Sequence, residues 1–191
     1  MSKQLVLTSL LLGISQSALA HTGMGTTHGF MAGFVHPWQG VDHLLVMFVI
    51  GLWGCVLGGR ALWILPLSFL MLMAAGAGLS FVGISLPFAE LWVASSVVVF
   101  GLIIGFNTRL SEHWATGLVM VFALFHGYVH AEEITSGTAH LPYVLGFLVA
   151  TALLHLLGIG AGLFSTKPVR ILMISFGWAC ATVGCFLLAG Y

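Results

Sequence analysis

The chain has 191 residues, of which 60% are hydrophobic and 5% charged, with a formal net charge of zero. Soluble domains carry about 25% charged residues, so no soluble fold could cover its surface with so few, and a neutral balance offers nucleic acid no basic face. Nine histidines stand against five lysines plus arginines, which turns attention to imidazole chemistry.

In chain order, the first segment reads as an address rather than as fold. Lys3 supplies a positive start, Leu5 to Ile14 a short apolar core, and Ala18-Leu19-Ala20 the small residues that a signal peptidase reads. Residues 1–20 are therefore expected to be a cleaved signal peptide, leaving 21–191 as one integral-membrane domain whose new N-terminus is His21. The free amine and imidazole of His21 together form a possible metal chelate, in a Gly- and Thr-rich tail that also holds His28. Gly29 to Pro37 precedes the first long apolar run. It reads as an interfacial or re-entrant piece, with Pro37 stopping it from continuing into the next helix.

Six segments then meet the requirement of roughly 20 apolar residues for a spanning helix. They are Asp42 to Gly58, Ala61 to Val82, Phe88 to Phe106, His113 to His130, Leu141 to Phe164 and Val169 to Ala189. The connections between them are short and leave no room for a soluble domain. The predicted fold class is all-α: a polytopic membrane protein with about six transmembrane helices after the signal peptide. Once Lys3 is removed, the basic residues are Arg60, Arg109, Lys167 and Arg170, all in the first, third and fifth connections. Lysine and arginine accumulate in cytoplasmic loops. The mature N-terminus and the C-terminus are thus expected on the periplasmic side of a bacterial inner membrane.

Small residues punctuate the spans: Gly51 and Gly54, Gly76 and Gly78, Gly101 and Gly105, and Gly158, Gly160 and Gly162. Such spacing suits close helix approach. Cys55, Cys180 and Cys185 lie inside apolar runs with no CxxC spacing and read as packing residues, the last two pointing different ways. Met47, Met71, Met73 and Met120 read as lipid-facing or packing residues.

Two clusters carry chemistry. His36, Asp42 and His43 open the first span. His126, His130 and Glu133 close the fourth, at positions i, i+4 and i+7 of one helical stripe, whereas Glu132 points elsewhere and is the weaker candidate. Topology puts both clusters at the outer side. Ionisable groups at membrane depth are costly and generally face a cavity or each other, and imidazole with carboxylate suits divalent first-row metals. Asp42 serves either as a ligand or as the group that orients His36 or His43. His155, deep in the fifth span one turn after Thr151, is either a hydrogen-bonded packing residue or a relay ligand. His113 and His140 read as interfacial.

These residues resemble the HupE/UreJ family of nickel permeases. The HPxxGxDH signature stands here as His36 to His43, and an FHGxxHxxE element as Phe125 to Glu133, with Ala131 where a glycine is expected. The run Ala152-Leu153-Leu154-His155 is similar to the family's fifth-helix histidine. The resemblance extends over the mature chain. It implies a secondary transporter that moves nickel or cobalt from periplasm to cytoplasm, with no permanently bound cofactor, the ion being cargo. The implied partners are the divalent ion, the lipid bilayer and a hydrogenase or urease maturation system. Rival readings are a non-transporting metal-binding accessory protein and a membrane metalloenzyme. Against the latter, His126 and His130 form a single box on the outer side, and no His-Glu-x-x-His is present. No nucleotide-binding loop occurs, so direct use of ATP would need a partner.

Overall fold

A computed structural model of the protein describes residues 29–134, 140–164 and 166–191. Among them are seven α-helices and no strand: α1 Phe30–Gln39, α2 Val41–Leu57, α3 Ala61–Phe81, α4 Ala89–Gly105, α5 Glu112–Glu132, α6 His140–Leu163 and α7 Lys167–Leu188. The protein is an all-α polytopic membrane protein, an architecture in which each segment satisfies its own backbone polar groups. By length and hydropathy α3, α5, α6 and α7 each suffice to cross a bilayer, and α1 with α2 passes as a pair bent by 86°. The apolar helix α4 has 17 residues, the lower limit of the spanning range of about 17–25. Helices α2 to α7 coincide with the six segments read from sequence, each end within two residues of expectation.

The outer face of the bundle is as apolar as its inside. Leu67, Met71, Trp114, Leu145 and Phe186 are exposed on the isolated chain. The most apolar window of α3 has a mean hydropathy of 2.0 although only 33% of it is buried. A helix apolar on all sides belongs in lipid or in a large core, and this chain is too short for the second.

Pro37 does not end α1. It lies inside the helix, and the break falls three residues later at Gly40, whose φ of −85° and ψ of 117° are extended. Proline removes the bond to the carbonyl four residues back, here that of Gly33. Because α1 ends two residues beyond Pro37, only one bond near a terminus is lost. At the other end of α2, Gly58 and Gly59 both take positive φ (73° and 56°), which lets three residues reverse the chain into α3.

The principal helix pairings are α3 with α5, α4 with α7, and α6 with both α1 and α2. Glycines set how close they come. A Cβ at Gly51 would enter the backbone of His155, one at Gly158 that of Phe48, one at Gly127 that of Met73, and one at Gly101 that of Ala181. Gly78 and Gly160 have nothing within 4 Å of such an atom, so the packing role expected of them does not hold.

Arg60, Arg109, Lys167 and Arg170 fall at the α2–α3, α4–α5 and α6–α7 junctions, which alternate along the chain and therefore share one end of the bundle. There Arg60 approaches Glu112 at 3.9 Å, and Trp53 Nε1 donates to the Thr108 carbonyl at 3.3 Å. The α1–α2 break and the C-terminus of α5 lie at the opposite end.

Candidate metal centre

Three helix ends build the site. His36 comes from the last turn of α1, His43 from the first turn of α2, and His126 and His130 from the last two turns of α5, with Glu133 as its C-cap residue. The 86° bend at Gly40 folds α1 back so that His36 reaches α5 rather than continuing along the axis of α2. His43, His126 and His130 are buried, at 5%, 0% and 3% relative exposure, whereas His36 and Glu133 are part-exposed.

Two groups of ligand atoms result, joined by His130. His36, His130 and Glu133 form the outer group, and His43, His126 and His130 the inner one; within each the ligand atoms all lie within 4.8 Å. In the outer group His36 Nε2 and Glu133 Oε2 are 2.8 Å apart, His130 Nδ1 and His36 Nε2 3.0 Å, and His130 Nδ1 and Glu133 Oε2 3.3 Å. Ligands bound at about 2.1 Å lie roughly 3.0–3.4 Å from one another in octahedral or tetrahedral coordination, so the 3.0 and 3.3 Å edges fit the spacing around a first-row cation and the 2.8 Å edge is slightly shorter. Burial on its own raises the Glu133 carboxyl, but hydrogen bonds and charge from His130 and His36 outweigh it and hold the group well below the usual carboxylate range. It is therefore ionised at neutral pH, the form that binds a cation.

In the inner group hydrogen bonding fixes which ring nitrogens are free. Asp42 Oδ1 accepts the backbone N–H of His43 at 2.8 Å and lies 2.7 Å from its Nδ1. A carboxylate there accepts a hydrogen bond from Nδ1–H and leaves Nε2 with the lone pair. Ser96 Oγ donates to the Val93 carbonyl at 2.6 Å and lies 2.9 Å from His126 Nε2. Its one proton is committed, so His126 Nε2 donates to it and Nδ1 keeps the lone pair. The buried nitrogens left over are His43 Nε2, His126 Nδ1 and His130 Nε2, none with a hydrogen-bond partner among the described residues. An unpartnered buried polar atom costs about 1–3 kcal/mol. Three such atoms, on rings with centroids 3.7 and 4.7 Å from that of His43, make a set that one ligand accepting lone pairs could satisfy.

The sequence candidates thus separate. His36, His43, His126, His130 and Glu133 are brought together. Asp42 is not within the ligand groups and stands behind His43, not His36. Glu132 accepts a hydrogen bond from Tyr128 at 2.8 Å and is turned away. His155, 1% exposed, lies deeper, with neither ring nitrogen hydrogen-bonded among the described residues. The Thr151 hydroxyl one turn earlier faces Met73 Sδ at 4.0 Å. His21 and His28 fall outside the described residues. His113 and His140 are exposed at helix ends, the latter stacked on Phe81 at 4.6 Å. The sequence reading missed Ser96, and also Phe147, whose ring lies 4.1 Å from that of His130 and walls the cluster. The sole sequence trace of Ser96 is a polar pair, Ser95-Ser96, in an otherwise apolar run.

A helical membrane protein with an imidazole and carboxylate cluster at one end of its bundle is the class that this fold and site define. The chain belongs to the HupE/UreJ family: the family described as HupE / UreJ protein matches residues 9–187. It is similar to Protein HupE of Rhizobium leguminosarum bv. viciae, at 39% identity over 186 residues, covering 96% of this chain and 97% of that protein. No solved structure matches the chain. The family is linked to nickel and cobalt, in transport or in accessory roles that supply hydrogenase or urease.

Proposed function

We propose that the protein is a secondary permease that carries nickel or cobalt ions from periplasm to cytoplasm. The observation that carries this reading is the pair of ligand groups sharing His130, with three buried imidazole nitrogens that have no hydrogen-bond partner among the described residues. An ion captured by His36, Glu133 and the Nδ1 side of His130 at the half-exposed mouth passes to His43, His126 and the Nε2 side of His130 below, the two nitrogens of one ring serving the two groups. Asp42 holds His43 in the required tautomer, and carboxylate support of this kind is commonly worth about 10–100-fold in metal affinity. His155 then receives the ion farther in. A cavity at the basic end of the bundle, lined by Trp53, Cys55, Asn107, Arg109 and Arg170, gives the path a way out.

The same reading takes residues 1–20 as a cleaved signal, 21–191 as the membrane domain, and α2 to α7 as six spans. The protein then resides in the bacterial inner membrane with both mature termini and the ligand cluster outside. The family's link to hydrogenase and urease supports a metalloenzyme maturation system as the receiver of the ion. Nickel and cobalt uptake into proteoliposomes, with a metal-sensing dye inside, tests the function. Metal-dependent influx supports the permease. Tight binding with no influx would turn the reading to the accessory role.

A further inference from the structure

One aromatic ring touches both the histidine cluster and His155. Phe69, on α3, is fully buried. Its centroid lies 5.6 Å from that of His126 and 5.3 Å from that of His155, the second contact being edge-on at 85°. Among the described residues it is the only ring in contact with both. The levels agree. Phe69 lies eight residues from the start of α3 at Ala61, and His155 eight residues from the end of α6 at Leu163. At a rise of 1.5 Å per residue both are about 12 Å from the basic end of the bundle. His126 lies 14 residues from the start of α5 at Glu112, about 21 Å from that end. Phe69 therefore lies deeper than His126 of the inner ligand group, at the level of His155.

Nothing on the Phe69 side chain replaces a metal ligand. A cation leaving His126 Nδ1 for a His155 nitrogen has on one side a phenyl ring without a donor atom, in contact with both histidines, and a desolvated divalent ion is not stable against it. The helix that carries the ring is weakened nearby. Pro66, three residues earlier and also inside α3, cannot donate to the Leu62 carbonyl, the usual cause of a local bend.

We propose that Phe69 is the barrier of the translocation path, separating the outer histidine cluster from His155, and that displacement of its ring sets the rate at which ions pass. This rests on the permease reading above. The inference makes flux and binding respond differently to ring size, whereas a residue that merely packs would change both through folding.

The test uses purified full-length protein carrying Phe69→Trp, Phe69→Leu or Phe69→Ala. Nickel influx into proteoliposomes is measured beside nickel affinity by calorimetry. The expected order of influx is Ala above Leu above the parent above Trp, with Trp lowered by about tenfold because added bulk in a filled site raises the cost of movement. Affinity at the outer cluster should stay at the parental value in all three. Should Ala misfold, it would lose affinity as well, and Leu against Trp still decides the order. Equal influx for parent, Leu and Trp at parental affinity overturns the barrier while leaving the permease intact. A parent that binds nickel without moving it overturns the permease, and the barrier falls with it.

Discussion

Asp42 and Ser96 do the same work on two different histidines. Each engages one ring nitrogen and so determines where the other carries its lone pair. Asp42→Asn keeps an oxygen acceptor for His43 Nδ1 but removes the charge, so nickel affinity should fall by about 10–100-fold without loss of folded protein; binding titration beside a melting curve checks this. The two glutamates should differ sharply. Glu133→Gln removes a carboxylate that contacts His36 and His130 and should abolish most uptake at low metal. Glu132→Gln keeps an oxygen for the Tyr128 hydroxyl and should transport almost normally. Protons compete with metal for its ligands, so binding should weaken as pH falls. Glu133, held below the usual carboxylate range, keeps its charge through mild acid, so a loss there is not its own. The His126, His130 and Glu133 stripe was legible because helical periodicity alone puts those positions on one face. Ser96 was not, because its partnership with His126 depends on α4 lying beside α5, and no local pattern encodes that neighbour.

Helix boundaries were legible because Gly, Pro and charged residues punctuate apolar runs long enough to span a bilayer. The break between α1 and α2 was misplaced by three residues because a proline near a helix terminus loses a single bond, while Gly40 takes the extended conformation that turns the chain. The roles of individual glycines were less legible still, since spacing cannot tell a face against a neighbour from a face against lipid. This distinction gives a paired expectation. Gly127→Ala would drive a methyl group into the Met73 backbone and should destabilise the fold by about 1–3 kcal/mol, the usual cost of overpacking. Gly78→Ala meets nothing within 4 Å and should be neutral or stabilising by up to about 1 kcal/mol through helix propensity. Thermal unfolding in detergent, followed by circular dichroism, compares the two.

For the whole molecule, sidedness joins the site to its function. Under the proposed orientation, with the basic junctions facing the cytoplasm, a cysteine introduced at Arg109 in a cysteine-free background should react with a membrane-impermeant maleimide only in inverted vesicles. One at Tyr191 should react in intact cells. The reverse pattern would put the histidine cluster on the cytoplasmic side and make the permease reading an exporter. His155 adds depth to that path: His155→Ala should stop uptake per molecule of folded protein while outer binding survives. The central claim is that histidines from α1, α2 and α5 form one site for a divalent ion. Nickel titration of purified protein carrying His36→Ala, His43→Ala, His126→Ala or His130→Ala tests it most directly. Each should weaken binding by about tenfold or more, since a lost ligand exceeds lost carboxylate support, with His130→Ala the most severe because it belongs to both ligand groups. Unchanged affinity across the four variants would contradict the shared site and leave these residues as interfacial anchors.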